Sequence, residues 1–200
     1  TYYGSGADLS GIEISSVASG VANGSIGLGT AVAVQSDGKF VAVTGTNESL
    51  GVQTEFVPTG AREIDVCYNT SSNPVIACYR SDSSGNYGKS RVGTVSGTTI
   101  TWGSEVQFST NVEANYVSCV YVPTIDRVVV VYKGTSNYGQ YSIGTVSGTG
   151  ASATISWTTP ASFNGTITTY YIDMEYDTTT DRIVVAFENF AAPTGSYLQV

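Results

Sequence analysis

The sequence contains no histidine, which removes the side chain most often used near neutral pH as a general base, proton shuttle or metal ligand. Basic residues are scarce: eight Lys and Arg stand against 16 Asp and Glu, a formal net charge of -8. A chain of that sign offers no electrostatic footprint for nucleic acid and little attraction to an anionic membrane surface. Cysteine occurs three times, at Cys67, Cys78 and Cys119, an odd number that cannot pair fully within one chain. Each lies in an apolar run where a small hydrophobe fits, so buried free thiols are expected, in keeping with synthesis in a reducing compartment. There is no signal-peptide pattern and no apolar run of about 18 residues, so membrane insertion is not expected. The first residue is Thr1 rather than Met, which fits processing or truncation.

What the chain does contain favours strands. Hydrophobic residues make up 41%, enough for a real core in 200 residues. Gly is frequent, Tyr occurs 14 times, and β-branched residues dominate the apolar set. These features predict an all-β protein.

One phrase occurs twice. Val92-Gly93-Thr94-Val95-Ser96-Gly97 is followed by Ile100-Thr101-Trp102, and Ile143-Gly144-Thr145-Val146-Ser147-Gly148 by Ile155-Ser156-Trp157. The preceding apolar stretches repeat as well, and a third copy begins the last segment. Ile64-Asp65-Val66-Cys67-Tyr68 aligns with Val117-Ser118-Cys119-Val120-Tyr121 and with Ile172-Asp173-Met174-Glu175-Tyr176, at offsets of 53 and 55 residues. After a turn, Val75 to Tyr79 aligns with Val128 to Tyr132 and Ile183 to Phe187, and Trp102 to Phe108 aligns with Trp157 to Phe163. Each full copy has four strand-like segments, about 63-68, 75-80, 89-95 and 99-108 in the first. The second segment is apolar at nearly every position, so both of its faces are expected to be covered. A covered inner strand, more polar outer strands and a period of about 50 residues predict four-stranded antiparallel repeats of β-propeller type. A β-sandwich and tandem β modules of a fibre are the alternatives.

Before the repeats, residues 1-10 read as an arm or linker and 11-58 as a small β domain. Within it, Ala31-Val32-Ala33-Val34 and Phe40-Val41-Ala42-Val43 flank an Asp37-Gly38 turn, a strong hairpin signal because Gly accepts positive φ. A further strand is expected at about Val52 to Val57. The repeats then occupy 59-200, as 62-111, 112-165 and an incomplete 166-200, whose last residues fall inside its third strand. One such repeat buries too little to stand alone, so neighbours must cover it.

Candidate sites are few. Asn86-Tyr87-Gly88 and Asn137-Tyr138-Gly139 recur in the loop between second and third strands, where a Tyr ring with a neighbouring amide can stack on a sugar and bond its hydroxyls. The bland alternative is a turn whose Tyr packs over the strand edge. Asp126 and Asp181, with Asn73 at the same place in the first copy, read either as oxygen ligands for Ca²⁺ or as residues that close the turn. Trp102 and Trp157 recur in phase with Phe108 and Phe163 and are expected to pack between repeats. The pairs Glu63/Asp65 and Asp173/Glu175 share a strand face, as glycoside cleavage would require, but Ser118 and Val120 stand at those places in the second copy. No catalytic residue, metal or cofactor is therefore assigned.

The pattern Tyr-x-x-x-x-Asp-Arg-Val-Val-Val-Val-Tyr, followed by Gly-Thr-Val-Ser-Gly and an Ile-x-Trp segment, resembles the β-repeats of fibre and other structural proteins of tailed bacteriophages, especially marine ones. Val17 to Gly24, leading to Val34-Gln35-Ser36-Asp37-Gly38-Lys39, is similar to N-terminal modules of phage virion proteins. The resemblance implies a non-enzymatic virion protein, a fibre or capsid-decorating protein. Segment 11-58 would dock on the particle and the repeats would be displayed for surface exposure or host recognition. Its implied partners are other virion proteins or copies of itself as a homo-oligomer; the loop chemistry above adds a host surface glycan at Asn86, Tyr87, Asn137 and Tyr138, and the charge leaves no expectation of nucleic acid. A secreted or cell-surface glycan-binding propeller is the alternative function.

Overall fold

The structure, a computed structural model, describes residues 32-34, 39-42, 51, 53-83, 85-110, 112-190 and 195-200. Among them the protein is all-β, and the chain divides into two compact units, Thr1–Leu50 and Gly51–Val200. The first unit contains the expected hairpin. Strand β1 (Val32–Val34) pairs antiparallel with β2 (Phe40–Ala42), with Val34 opposite Phe40. The Asp37-Gly38 turn, the arm at 1-10 and the stretch from Gly11 to Thr30 lie outside the described residues.

The second unit is three antiparallel sheets, one for each copy of the repeat. Sheet 1 runs β3 (Ala61–Tyr68), β4 (Pro74–Ser81), β5 (Gly88–Ser96) and β6 (Thr99–Trp102), with the short β7 (Val106–Gln107) also on β5. Sheet 2 repeats this with β8 (Asn115–Val122), β9 (Arg127–Lys133), β10 (Gly139–Ser147), β11 (Thr154–Trp157) and β12 (Ala161–Ser162). Sheet 3 consists of β13 (Thr169–Asp177), β14 (Arg182–Asn189) and β15 (Gly195–Gln199). No closed propeller is formed among the described residues. The sheets are joined in series through their first strands, β8 lying against β3 on one side and β13 on the other. That position explains why β8 is buried from Val117 to Val122 whereas β3, which has such a neighbour on one side among the described residues, alternates between half-buried and exposed.

Two strand boundaries differ from the sequence expectation. The fourth segment, expected as one strand over 99-108, is two strands separated by Gly103-Ser104-Glu105. The chain breaks there because Gly103 meets the next sheet: its N–H bonds the Val92 carbonyl at 2.8 Å, and a Cβ on it would overlap the Ala153 carbonyl oxygen. Residues 53-57, expected as a strand of the 11-58 domain, have no strand pairing and belong to the second unit. Their role is that of the piece after Gly103, one repeat earlier. Gly51 packs on the Thr98 carbonyl as Gly103 does on Ala153, and Phe56 lies 5.5 Å from Tyr79 and 5.6 Å from Trp102. The boundary therefore falls between Leu50 and Gly51 rather than after Pro58.

The same aromatic cluster recurs. Phe108, at the end of the first copy, lies 5.2 Å from Tyr132 and 5.7 Å from Trp157 of sheet 2, and Phe163 lies 5.6 Å from Phe187 of sheet 3. Each Phe carbonyl is held by a side chain at one register position of the third strand: Arg91 to Phe56 at 2.6 Å, Ser142 to Phe108 at 3.3 Å and Gln199 to Phe163 at 2.7 Å. Trp157 thus packs between repeats, its indole N–H donating to Ser90 of sheet 1 at 2.9 Å, while Trp102 packs on Phe56 of the segment before the first repeat.

The doubled phrase is explained by its first glycine. Gly93 stands opposite Trp102 and Gly144 opposite Trp157 across the outer hairpins. A Cβ on Gly93 would sit 2.7 Å from the Trp102 ring, and one on Gly144 2.8 Å from that of Trp157. The space a side chain would take at each glycine is filled by the indole and by the Ile of the same strand, Ile100 or Ile155, an aromatic cover for a strand glycine. The last glycine closes the turn, with φ of 57° at Gly97 and 72° at Gly148.

Candidate functional site

The first strands share a device that no sequence signature announces. Each has a bulge, between Arg62 and Asp65, Asn115 and Ser118, and Tyr170 and Asp173, with one residue left-handed: Glu63 (φ 49°), Tyr116 (φ 55°) and Tyr171 (φ 49°). The bulge kinks the strand and turns the residues beyond it toward the neighbouring sheet. Asp65 Oδ2 accepts the Cys119 N–H at 2.7 Å and the Ser118 hydroxyl at 3.1 Å. Ser118 lies 3.3 Å from Asp173 Oδ1 and accepts the Met174 N–H at 3.3 Å. A polar seam thus runs from β3 through β8 to β13, along strands not joined by a backbone ladder.

Beside the seam is a groove of about 420 Å³, lined by Asp65, Cys67 and Tyr68 from β3, Cys119 and Tyr121 from β8, and Asp173, Glu175 and Tyr176 from β13, among others. It brings Asp65, Asp173 and Glu175 to one place. Two of the three are already engaged, Asp65 with Ser118 and the Cys119 and Val66 N–H groups, Asp173 with Ser118 and its own chain at Met174. Glu63 is held elsewhere, accepting the Tyr116 N–H and pairing with Arg80 at 3.2 Å. Arg80 also reaches Glu113 and Asn115 at the entry to sheet 2. Lys133, one repeat on, sits 4.2 Å over the Tyr170 ring of sheet 3.

The three cysteines meet under this groove. The hydrogen bond to Cys119, with burial behind it, pushes the Cys67 thiol far above its ordinary range, and burial raises Cys78. Such thiols carry no thiolate near neutral pH and are poor nucleophiles. Cys78 and Cys119 are buried as expected, while Cys67 is half-buried at the groove.

The turns after the first strands close in the same way three times. Asn73, Asp126 and Asp181 are left-handed, with φ of 63°, 51° and 56°. Each accepts a hydroxyl from the Tyr five residues earlier: Tyr68 at 2.7 Å, Tyr121 at 2.8 Å and Tyr176 at 2.6 Å. The same carboxylates receive the previous turn, Asn69 donating to Asp126 at 3.3 Å and Thr124 to Asp181 at 2.8 Å. Of the two readings of these residues, the geometry matches turn closure, extended to a link between sheets.

Asn86, Tyr87, Asn137 and Tyr138 fall in the loops between second and third strands, in two separate sheets. Asn86 (φ 55°) and Asn137 (φ 65°) are left-handed turn residues. The Tyr87 ring covers Gly85, where a Cβ would come within 2.5 Å, and the Tyr87 and Tyr138 backbones bridge to Glu113 and Thr168, at the entry to the next repeat. Both rings are half-buried.

The carboxylates predict an acid response. Burial acts to raise Glu105, but Lys89 (2.6 Å) and the Tyr79 hydroxyl (2.5 Å) outweigh it and hold the carboxyl below its usual range. Tyr176 first, then Thr124, hold Asp181 low as well. A carboxyl depressed in the folded state contributes stability that is complete above its unfolded pKa, about 4, and is lost as pH falls through the folded value. The urea midpoint is expected to be flat from about pH 7 to 5 and to fall below about pH 4. Glu105→Gln should lower the neutral midpoint and flatten that fall; an unchanged acid slope would contradict the assignment.

No family model, curated protein or solved structure matches this chain. Among the described residues no helix is long and apolar enough to cross a membrane.

Proposed function

We propose that the chain is a non-enzymatic structural protein of a virion, a fibre or capsid-decorating protein whose β-repeats are displayed on the particle surface. The observation that carries the non-enzymatic part is the use of its polar side chains. Asp65, Asp126, Asp181 and Ser118, the groups that chemistry or a metal would need, bond residues of a neighbouring sheet. A chain whose carboxylates stitch one repeat to the next is built to resist separation. The virion setting comes from the resemblance of the repeats and of the N-terminal segment to tailed-phage structural proteins. Its partners would be other virion proteins or further copies of the chain, and a host surface glycan at the loops carrying Asn86-Tyr87 and Asn137-Tyr138.

Mass spectrometry of density-gradient-purified particles from the source that encodes the chain is the test. The chain should co-purify with the major capsid protein at a fixed ratio and label on the outside of intact particles. Recovery only in the soluble fraction would overturn the proposal.

A further inference from the structure

Sheets 1 and 2 show what a finished junction of this repeat looks like. The outer hairpin of sheet 2 lies over the face of sheet 1, with β11 against β5 and β7. Ile155 is 2% exposed and Ala153 1%. Trp157 bonds Ser90, and the Gly150 N–H bonds Thr94 at 2.7 Å. Beneath this cover Ile76 and Val92, paired across β4 and β5, are completely buried.

The next junction repeats the floor without the cover. Between sheets 2 and 3 is an open cavity of about 440 Å³ with apolar walls, Val129, Val131, Ile143 and Phe163 on one side and Ile183 and Val185 on the other. Val129 and Ile143 pair at the register positions of Ile76 and Val92, yet Ile143 is only half-buried. Tyr141 stands at the register position of Ser90 in sheet 1 and lines the cavity. Strand β15 pairs with β14 alone among the described residues, and Gln199 at its end and the adjoining Val200 line the cavity. An unpaired edge beside an apolar groove is the arrangement that accepts an added strand.

We infer that this groove is a docking site for a β-hairpin of the chemistry seen at Gly144–Trp157, whose outer strand carries an aliphatic residue two positions before a tryptophan. The aliphatic side chain would enter between Ile143 and Val185, as Ile155 enters the earlier junction, while the indole lies against Phe163 and Tyr141. Because each junction is one sheet's outer hairpin laid on the previous face, this groove continues an interface that the molecule already makes. The inference does not depend on the virion setting.

A fluorescent peptide with the sequence Gly144–Phe163, titrated into the intact protein, tests it. Saturable binding, a raised Tm and slowed amide exchange in Ile183–Val185 are expected. The same peptide with Ser at the positions of Ile155 and Trp157 should bind at least tenfold more weakly, a comparison needing no change to the folded protein. Equal binding of the two peptides, or no binding, overturns the inference. So does sedimentation showing a dimer that Val185→Asp disperses and the peptide cannot, since the occupant is then a second copy.

Discussion

Phe108→Ala is expected to destabilise the second unit by about 3–5 kcal/mol, the range for deleting a buried aromatic ring. The ring is 2% exposed and lies between sheets 1 and 2. It rests on the bare Cα of Gly88 in sheet 1 and faces Tyr132 and Trp157 of sheet 2. Its backbone is fixed as well, the N–H to the Gly88 carbonyl at 2.9 Å and the carbonyl under Ser142. Gly88 has no side chain with which to fill the space, so a cavity should remain. Phe163 occupies the same place one repeat on but is half-buried, with Phe187 as its ring neighbour there, so Phe163→Ala should cost about half as much. Urea unfolding followed by far-UV circular dichroism should show a lower midpoint with unchanged slope for both variants. An equal or larger effect at Phe163 would mean that the ring does not join sheets 1 and 2 as described.

How much of this was legible in the sequence depends on whether a feature repeats along the chain or arises between copies. The strands β4 and β9 were legible because both faces are apolar, and the outer hairpins because Ser-Gly stands between two alternating runs. The bulges were not: Glu63, Tyr116 and Tyr171 adopt positive φ without a glycine among them, so no composition marks the place. The place of Phe56 was hidden for another reason. It lies in a segment without strand pairing of its own, and its contacts with Tyr79 and Trp102, together with the Arg91 bond to its carbonyl, show that it corresponds to Phe108. The Tyr-x-x-x-x-Asp spacing was visible, whereas the second bond of each carboxylate, to the previous turn, depends on how consecutive sheets are set side by side. Asn86 and Asn137 were singled out for hydrogen-bonding amides, and the structure shows them in the left-handed conformation that Asn tolerates better than most residues.

Gly103→Ala is expected to cost about 3 kcal/mol, the upper end of what overpacking usually costs, although it adds a single methyl group. The methyl would overlap the Ala153 carbonyl oxygen, which is backbone and is tied down because the Ala153 N–H bonds Gly150 at 3.1 Å. Relief requires separating the outer hairpin of sheet 2 from sheet 1, and Ile155 and Trp157 would be withdrawn with it. Gly97→Ala is the control for the other use of glycine in this repeat. Nothing lies within 4 Å of its added Cβ, so only the left-handed φ of 57° resists, at about 1 kcal/mol. Gly148 combines both conditions, φ of 72° and a Cβ that would meet the Ser152 carbonyl, so Gly148→Ala should exceed Gly97→Ala even though the two residues end the same phrase. Thermal unfolding of the three variants should rank them Gly103, Gly148, Gly97 from most to least destabilised. Indole fluorescence should shift to the red for the Gly103 variant as Trp157 leaves Ser90, and stay unchanged for the Gly97 variant. Equal losses at Gly97 and Gly103 would mean that the turn, and not the contact between sheets, limits the stability of the repeat.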